Sequence, residues 1–176
     1  MNDKFNLCIT FCKGEEGPYS NDPMDPGGET AWGLSKKAYP HLDMKNLTWE
    51  QAKEVYRYDR WNPMRGDELP LPIALLIFEH SVNQSDATGG VKVLQRALGQ
   101  KPDGIFGPIT LAAVRNYPVT LYPDLIVKIC EARARAYLQL NNAVEERFEK
   151  GWIARLLEAQ AMALVWHYVL PKEGST

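Results

Sequence analysis

The sequence has little on which a cross-linked or metal-held fold could rest. Its three cysteines are an odd number for disulfide pairing. Cys8 and Cys12 fall one helical turn apart on a face expected to be buried, and Cys130 lies in a distant helical stretch, so all three read as small buried hydrophobes. The three histidines, His41, His80 and His167, show no metal-ligand spacing; no metal site and no cofactor are expected. Charge is nearly balanced, at a formal −2, and Lys and Arg are scattered through helical stretches instead of gathered in one arm, which argues against nucleic acid as a partner. Long hydrophobic runs are missing as well. The opening stretch from Met1 to Lys13 carries Phe5, Leu7, Cys8, Ile9, Phe11 and Cys12, but it is too brief to span a membrane and has no cleavage site. It reads as neither an export signal nor a membrane anchor, so cytoplasmic synthesis without stable membrane insertion is expected. No heptad or longer repeat emerges, which excludes coiled-coil and solenoid architectures.

What remains is the composition of an ordinary globular chain: 176 residues, 45% hydrophobic and 24% charged. That length buries a real core within one domain, or within two small subdomains that share one. Asn2 or Asp3 can cap a first helix with apolar positions at 5, 8, 9 and 12, stopped by Gly14 and Gly17. From Pro18 to Gly33 the density of Pro, Gly, Asp and Asn predicts turns with a small hairpin. Thr48-Trp49-Glu50-Gln51 fits a capping box opening a helix that continues through Val55 and Tyr56 toward Trp61, where Asn62-Pro63 ends it. Pro70 and Pro72 introduce Ile73 to Phe78, a run apolar on nearly all sides and therefore a buried central helix closing near Asn83. Val91, Leu94 and Leu98 mark the next helix, Ile109 to Val114 a short one broken by Pro118. Leu125, Ile126, Ile129, Ala132, Ala136, Tyr137 and Leu140 trace a stripe expected to run from about 123 to 150, with Gly151 separating it from a last helix that ends at Pro171. The fold expected is mostly α, a helical bundle with a small β-hairpin or irregular insert near residues 18–34.

The chemistry points to that insert. Glu16 stands at the exit of the first helix, and Asp22, Asp25 and Thr30 follow within fourteen residues. Glycoside hydrolysis needs two carboxylates in unlike surroundings, one protonated near neutral pH and the other ionised. A Glu against apolar walls is desolvated and its pKa rises, whereas an Asp in a Gly-rich turn accepts backbone N–H bonds that lower its own. Each residue also has a structural reading. Asp22 and Asp25 can simply form turns, Thr30 can favour a hairpin by its β-branch, and Asn83 can cap its helix or touch sugar N-acetyl groups. Tyr19, Trp32 and Tyr39 offer faces on which pyranose rings stack, or belong to the core. Trp152 and Arg155 share a helix face and read as packing residues.

The order of the residues carries a resemblance. Glu16-Gly17-Pro18-Tyr19, followed by Asp25-Pro26-Gly27-Gly28-Glu29-Thr30-Ala31-Trp32-Gly33-Leu34, resembles the opening motif of the glycoside hydrolase 108 muramidases, E-G-G-Y and then D-P-G-G-x-T-x-x-G-I. Tyr56 to Trp61-Asn62-Pro63 is similar to the family's helix ending in Y-W-x-P, Leu69-Pro70 to its L-P, and Phe78-Glu79-His80-Ser81-Val82-Asn83 to F-D-x-x-V-N. Leu94-Gln95-Arg96-Ala97-Leu98 and Asp103-Gly104-Ile105-Phe106-Gly107-Pro108-Ile109-Thr110 are similar to the peptidoglycan-binding pattern L-Q-x-x-L with D-G-x-x-G-x-x-T, a stretch that can equally be a structural join between helices. Phe148 to Arg155 matches F-x-x-G-W-x-x-R. Pro18 departs from the second Gly of E-G-G, Glu79 from the usual Asp, and Gln84-Ser85 from the small residue and Gly expected after Asn83.

The resemblance implies a lysozyme-like fold with residues 1–85 as a catalytic lobe and 86–176 as a peptidoglycan-binding-like lobe on the same core. It implies a muramidase of the phage endolysin type, cleaving the β-1,4 bond between N-acetylmuramic acid and N-acetylglucosamine. Glu16 would be the acid, selected over its neighbour Glu15 by alignment on Tyr19. Asp25, nine positions on, and Thr30 would hold the attacking water, and Tyr19, Trp32 and Asn83 would contact the glycan. The partner implied is the peptidoglycan strand, met in the periplasm or cell wall after release, by a protein expected to be a monomer. Two alternatives share the motif: a lytic transglycosylase, which closes the sugar on itself, and a non-catalytic peptidoglycan-binding or secretion-assisting protein.

Overall fold

A helix apolar all round is stable only when other elements cover every side of it. In the computed structural model, which describes residues 3–13, 19–21, 28–84, 88–138 and 143–170, the helix α3 (Leu71–Asn83) takes that place. Its residues Ile73 to Phe78 are entirely buried. Pro70 and Pro72 sit at its start, where a missing N–H costs nothing.

Around α3 pack α1 (Lys4–Cys12), α4 (Gly89–Ala97), α6 (Tyr122–Leu138) and α7 (Ala143–Val169). Asp3 caps α1 by accepting the Phe5 N–H at 3.1 Å. Phe5, Trp61 and Phe78 then meet edge to face, with centroids 5.3 to 5.9 Å apart, the geometry in which ring edges and faces attract. On the opposite side α4 comes close because Gly90 has no side chain. A Cβ there would lie 2.1 Å from the Ile77 carbonyl oxygen. The helix α2 (Trp49–Tyr56) begins at the expected capping box, with Thr48 and Gln51 bonding each other's backbone. It runs on through a wider π-helical turn, Arg57–Trp61, before Pro63. The short α5 (Pro108–Arg115) completes the α-helices among the described residues.

The insert is a two-stranded antiparallel hairpin, β1 (Thr30–Ala31) and β2 (Leu34–Ser35). Ser20 adds a bridge to Thr30, with both backbone bonds at 2.8 Å. The predicted mostly helical fold with a small β insert is thus what forms. One boundary differs. The stripe expected to continue to residue 150 stops at Leu138, and α7 passes through Gly151 without a break. A single helical glycine costs only about 1 kcal/mol relative to alanine, and the packing of α7 along α3 and α6 outweighs it. Among the described residues no helix is long and apolar enough to cross a membrane.

Candidate active site

Five elements line one groove of about 270 Å³. The exit of α1 contributes Cys12 and Lys13, the hairpin Trp32 and Gly33, α2 its Trp49 and Tyr56, and the end of α3 Val82 and Asn83. The fifth is α7, through Gly151, Trp152 and Arg155.

The hairpin corner is held in an unusual shape. Trp32 (φ 54°) and Gly33 (φ 78°) both occupy the left-handed region, as the two central residues of a tight hairpin turn must. For Gly33 this is free, and a Cβ there would lie 2.7 Å from the Tyr56 hydroxyl. For a tryptophan it costs on the order of 1 kcal/mol or more, the kind of strain that collects at functional sites. Two hydrogen bonds hold it: the Trp32 indole N–H donates to the Leu47 carbonyl at 2.8 Å, and the Tyr56 hydroxyl donates to the Trp32 carbonyl at 2.9 Å. The ring lies 5.5 Å from that of Trp49. The Lys13 ammonium sits 5.5 Å from the Trp32 ring and 5.2 Å from that of Trp49, within cation–π range. The exit of α1 is therefore tied to both aromatic walls.

The opposite wall rests on a buried polar chain. Arg155 Nη1 donates to Asn83 Oδ1 at 3.0 Å, Asn83 Nδ2 donates to Glu79, and Glu79 forms an ion pair with Arg133. Arg133 also donates to the Tyr137 hydroxyl at 3.2 Å and to the Leu76 carbonyl at 3.3 Å. Tyr137 in turn stacks on Trp152, centroids 5.6 Å apart. Burial pushes the Glu79 carboxyl up from its ordinary range, against the pull of Arg133, Arg155 and Asn83. Lys13 and Arg155 are the charged residues among the described lining, and both are cationic. Among the described residues no three His, Cys, Asp or Glu side chains gather to hold a metal ion.

Of the residues singled out from the sequence, Trp32 and Asn83 meet in this groove. Tyr19 is exposed, and its hydroxyl donates to Glu29 at 3.0 Å. Thr30 sits in β1 with its hydroxyl 3.3 Å from the Gly28 carbonyl, and Tyr39 packs half-buried against the core. Neither Tyr19, Thr30 nor Tyr39 is among the described lining residues. Glu16 and Asp25 lie outside the described residues, as do Glu15 and Asp22. Trp152, read from the sequence with Arg155 as a packing residue, does pack against the core, and both also wall the groove; Lys13 and Trp49 were not singled out at all. The motif F-x-x-G-W-x-x-R was the available signal for the first two. The D-G-x-x-G-x-x-T stretch proves to be a structural join: buried Gln95 donates to Asp103 (2.8 Å), the Ile105 carbonyl (3.2 Å) and Thr110 (3.3 Å), and accepts the Gly104 N–H (2.9 Å).

Residues 9–84 match the family described as glycosyl hydrolase 108, and residues 89–157 match the predicted peptidoglycan domain. A solved structure, that of SagA from Brucella abortus, is similar over 94% of this chain and 97% of its own, with 30% identity and a TM-score of 0.80. No curated protein is similar enough to count as a match. The class these features define is a glycoside hydrolase directed at peptidoglycan. The chain belongs to the glycosyl hydrolase 108 family.

Proposed function

We propose that this protein is an N-acetylmuramidase, a lysozyme that hydrolyses the β-1,4 bond between N-acetylmuramic acid and N-acetylglucosamine. The observation that carries the reading is the position of Lys13. It lines the groove, and Glu16 follows three residues later, a length of chain that spans at most about 11 Å. Covalent reach therefore allows a Glu16 carboxyl into a recess walled by Trp32, Trp49 and Trp152, where apolar neighbours would raise its pKa and keep it protonated. The acid then donates its proton to the glycosidic oxygen as the bond to the anomeric carbon breaks. Asp25 and Thr30 hold the water that attacks the opposite face, Asp25 taking its proton as the base, and inversion requires about 6.5 to 9.5 Å between the two carboxyl groups. Trp32 supplies a stacking face for a sugar ring, Asn83 bonds to an N-acetyl group, and Tyr19 contacts the strand further along.

In this reading residues 1–85 form the catalytic lobe and 86–176 the peptidoglycan-binding lobe of a monomer that works in the periplasm or cell wall. Muropeptide mass spectrometry after digestion of purified peptidoglycan tests it. Products ending in a reducing N-acetylmuramic acid are expected. Anhydro products, lighter by one water, would make it a transglycosylase instead, and retention on the polymer without cleavage would make it a binding protein.

A further inference from the structure

A second cavity, of about 530 Å³, opens between α4 and α6, and its lining residues are distinct from those of the aromatic groove. Ala132 and Ala136 on α6 leave room along its floor, and its walls carry Arg96, Lys128, Glu131 and Arg135. Three cations against one acid in the lining, with Asp124 beside Lys128 as the second, leave it locally positive in a chain whose formal charge is −2. The local pairing leaves the cations accessible. Lys128 meets Asp124 at 2.7 Å with its side chain 48% exposed, and Arg135 reaches Glu131 only at 3.9 Å with 77% of its side chain exposed. Arg96, across the groove on α4, is exposed and takes part in neither pair. Exposed pairs of this kind are worth well under about 1 kcal/mol, so an incoming carboxylate displaces them readily.

The spacing narrows the ligand. Lys128 and Arg135 are seven residues apart on one helix, about 10 Å along its axis. An extended peptide covers the same distance in about three residues. The stem peptide borne by peptidoglycan strands is a short extended chain with a free carboxylate on its second, D-glutamyl residue and another at its end. We propose that the groove between α4 and α6 is a second binding site, which takes this acidic stem peptide by its carboxylates against Arg96, Lys128 and Arg135. All the lining residues fall within the segment 89–157 that matches the peptidoglycan domain. The proposal rests on the reading of peptidoglycan as the polymer bound, and it gives the two lobes different parts of that polymer: glycan for the aromatic groove, peptide for the cationic one.

The test measures binding of the full-length chain in the cold to sacculi freed of teichoic acid, and to the same glycan strands stripped of stem peptides by an amidase. The wild type should bind intact sacculi in a salt-sensitive way, and both stripping the strands and the pair R96E/R135E should cut retention about tenfold. The milder pair R96Q/R135Q should fall between, guarding against misfolding in the reversal variant. Cleavage of soluble stem-free glycan should be equal in all three proteins. Stripped strands bound as well as intact ones, or sacculi bound as well by R96E/R135E as by wild type, would overturn the stem-peptide site. Failure of the wild type to cleave any glycan would instead remove the muramidase reading while leaving stem-dependent binding to be judged on its own result.

Discussion

Arg155 donates a 3.0 Å hydrogen bond to Asn83, closing a contact across 72 residues of sequence between the middle of α7 and the last turn of α3. The bond joins two groove walls, and it is anchored below by Glu79, which accepts from Asn83 and pairs with fully buried Arg133. The groove thus stands on a charged network inside the core.

That network predicts a large stability effect. Glu79→Gln leaves the Arg133 guanidinium buried without a counter-charge and should cost about 3–5 kcal/mol, read as a fall in the urea midpoint. Glu79→Leu combined with Arg133→Met removes both charges and should recover most of the loss. An additive penalty in the double variant would show that the pair is not coupled.

The left-handed turn at Trp32 separates folding from sugar contact. Asparagine tolerates positive φ better than most residues that carry a side chain, so Trp32→Asn should keep the hairpin while it removes the ring. Circular dichroism should be unchanged, and peptidoglycan cleavage should fall about tenfold, the scale of one lost stacking contact of about 1–1.5 kcal/mol. Unchanged cleavage would take Trp32 out of the substrate path.

Gly151 lines the groove from within α7, and a Cβ added there meets nothing within 4 Å. Gly151→Ala should raise stability by up to about 1 kcal/mol through helix propensity. Gly151→Leu should retain the melting temperature yet lower activity by filling the groove. Full activity in the leucine variant would argue that substrate does not pass this wall.

The thiols should be inert in the folded chain. Burial pushes Cys130 up to about 11 and raises Cys8 and Cys12 as well, so at pH 8 the reactive thiolate of Cys130 is only about a thousandth of the population. Folded protein should react slowly with a disulfide reagent at pH 8, and all three thiols should react at once after denaturation. Rapid labelling of the native chain would contradict these shifts.

Much of the architecture was legible because local signals and tertiary demand agreed. The capping box at Thr48, the paired prolines before Ile73 and the Pro-Gly-Asp density before Thr30 each have one physical reading. Gly151 misled because a glycine near the middle of an apolar stripe looks like a break, while helix packing overrides its weak propensity. Trp32 was singled out as an aromatic face and Asn83 as the end of the F-D-x-x-V-N segment, and both line the groove. Arg155 and Trp152 were not singled out as groove residues, because their place on the groove exists only once α7 lies against α3, and an apolar stripe says which face is buried without saying what it meets. Lys13 gave no signal either: a lysine closing a helix is ordinary until the two tryptophans, 19 and 36 residues on, are brought beneath its ammonium.

The account turns on Glu16, and the most direct measurement is the rate at which Glu16→Gln cleaves purified peptidoglycan, taken beside its melting temperature. Loss of at least about a hundredfold in rate, the scale of a general acid, with an unchanged melting temperature is the result expected. Near-wild-type cleavage by Glu16→Gln, above all with Glu15→Gln inactive, would contradict the assignment.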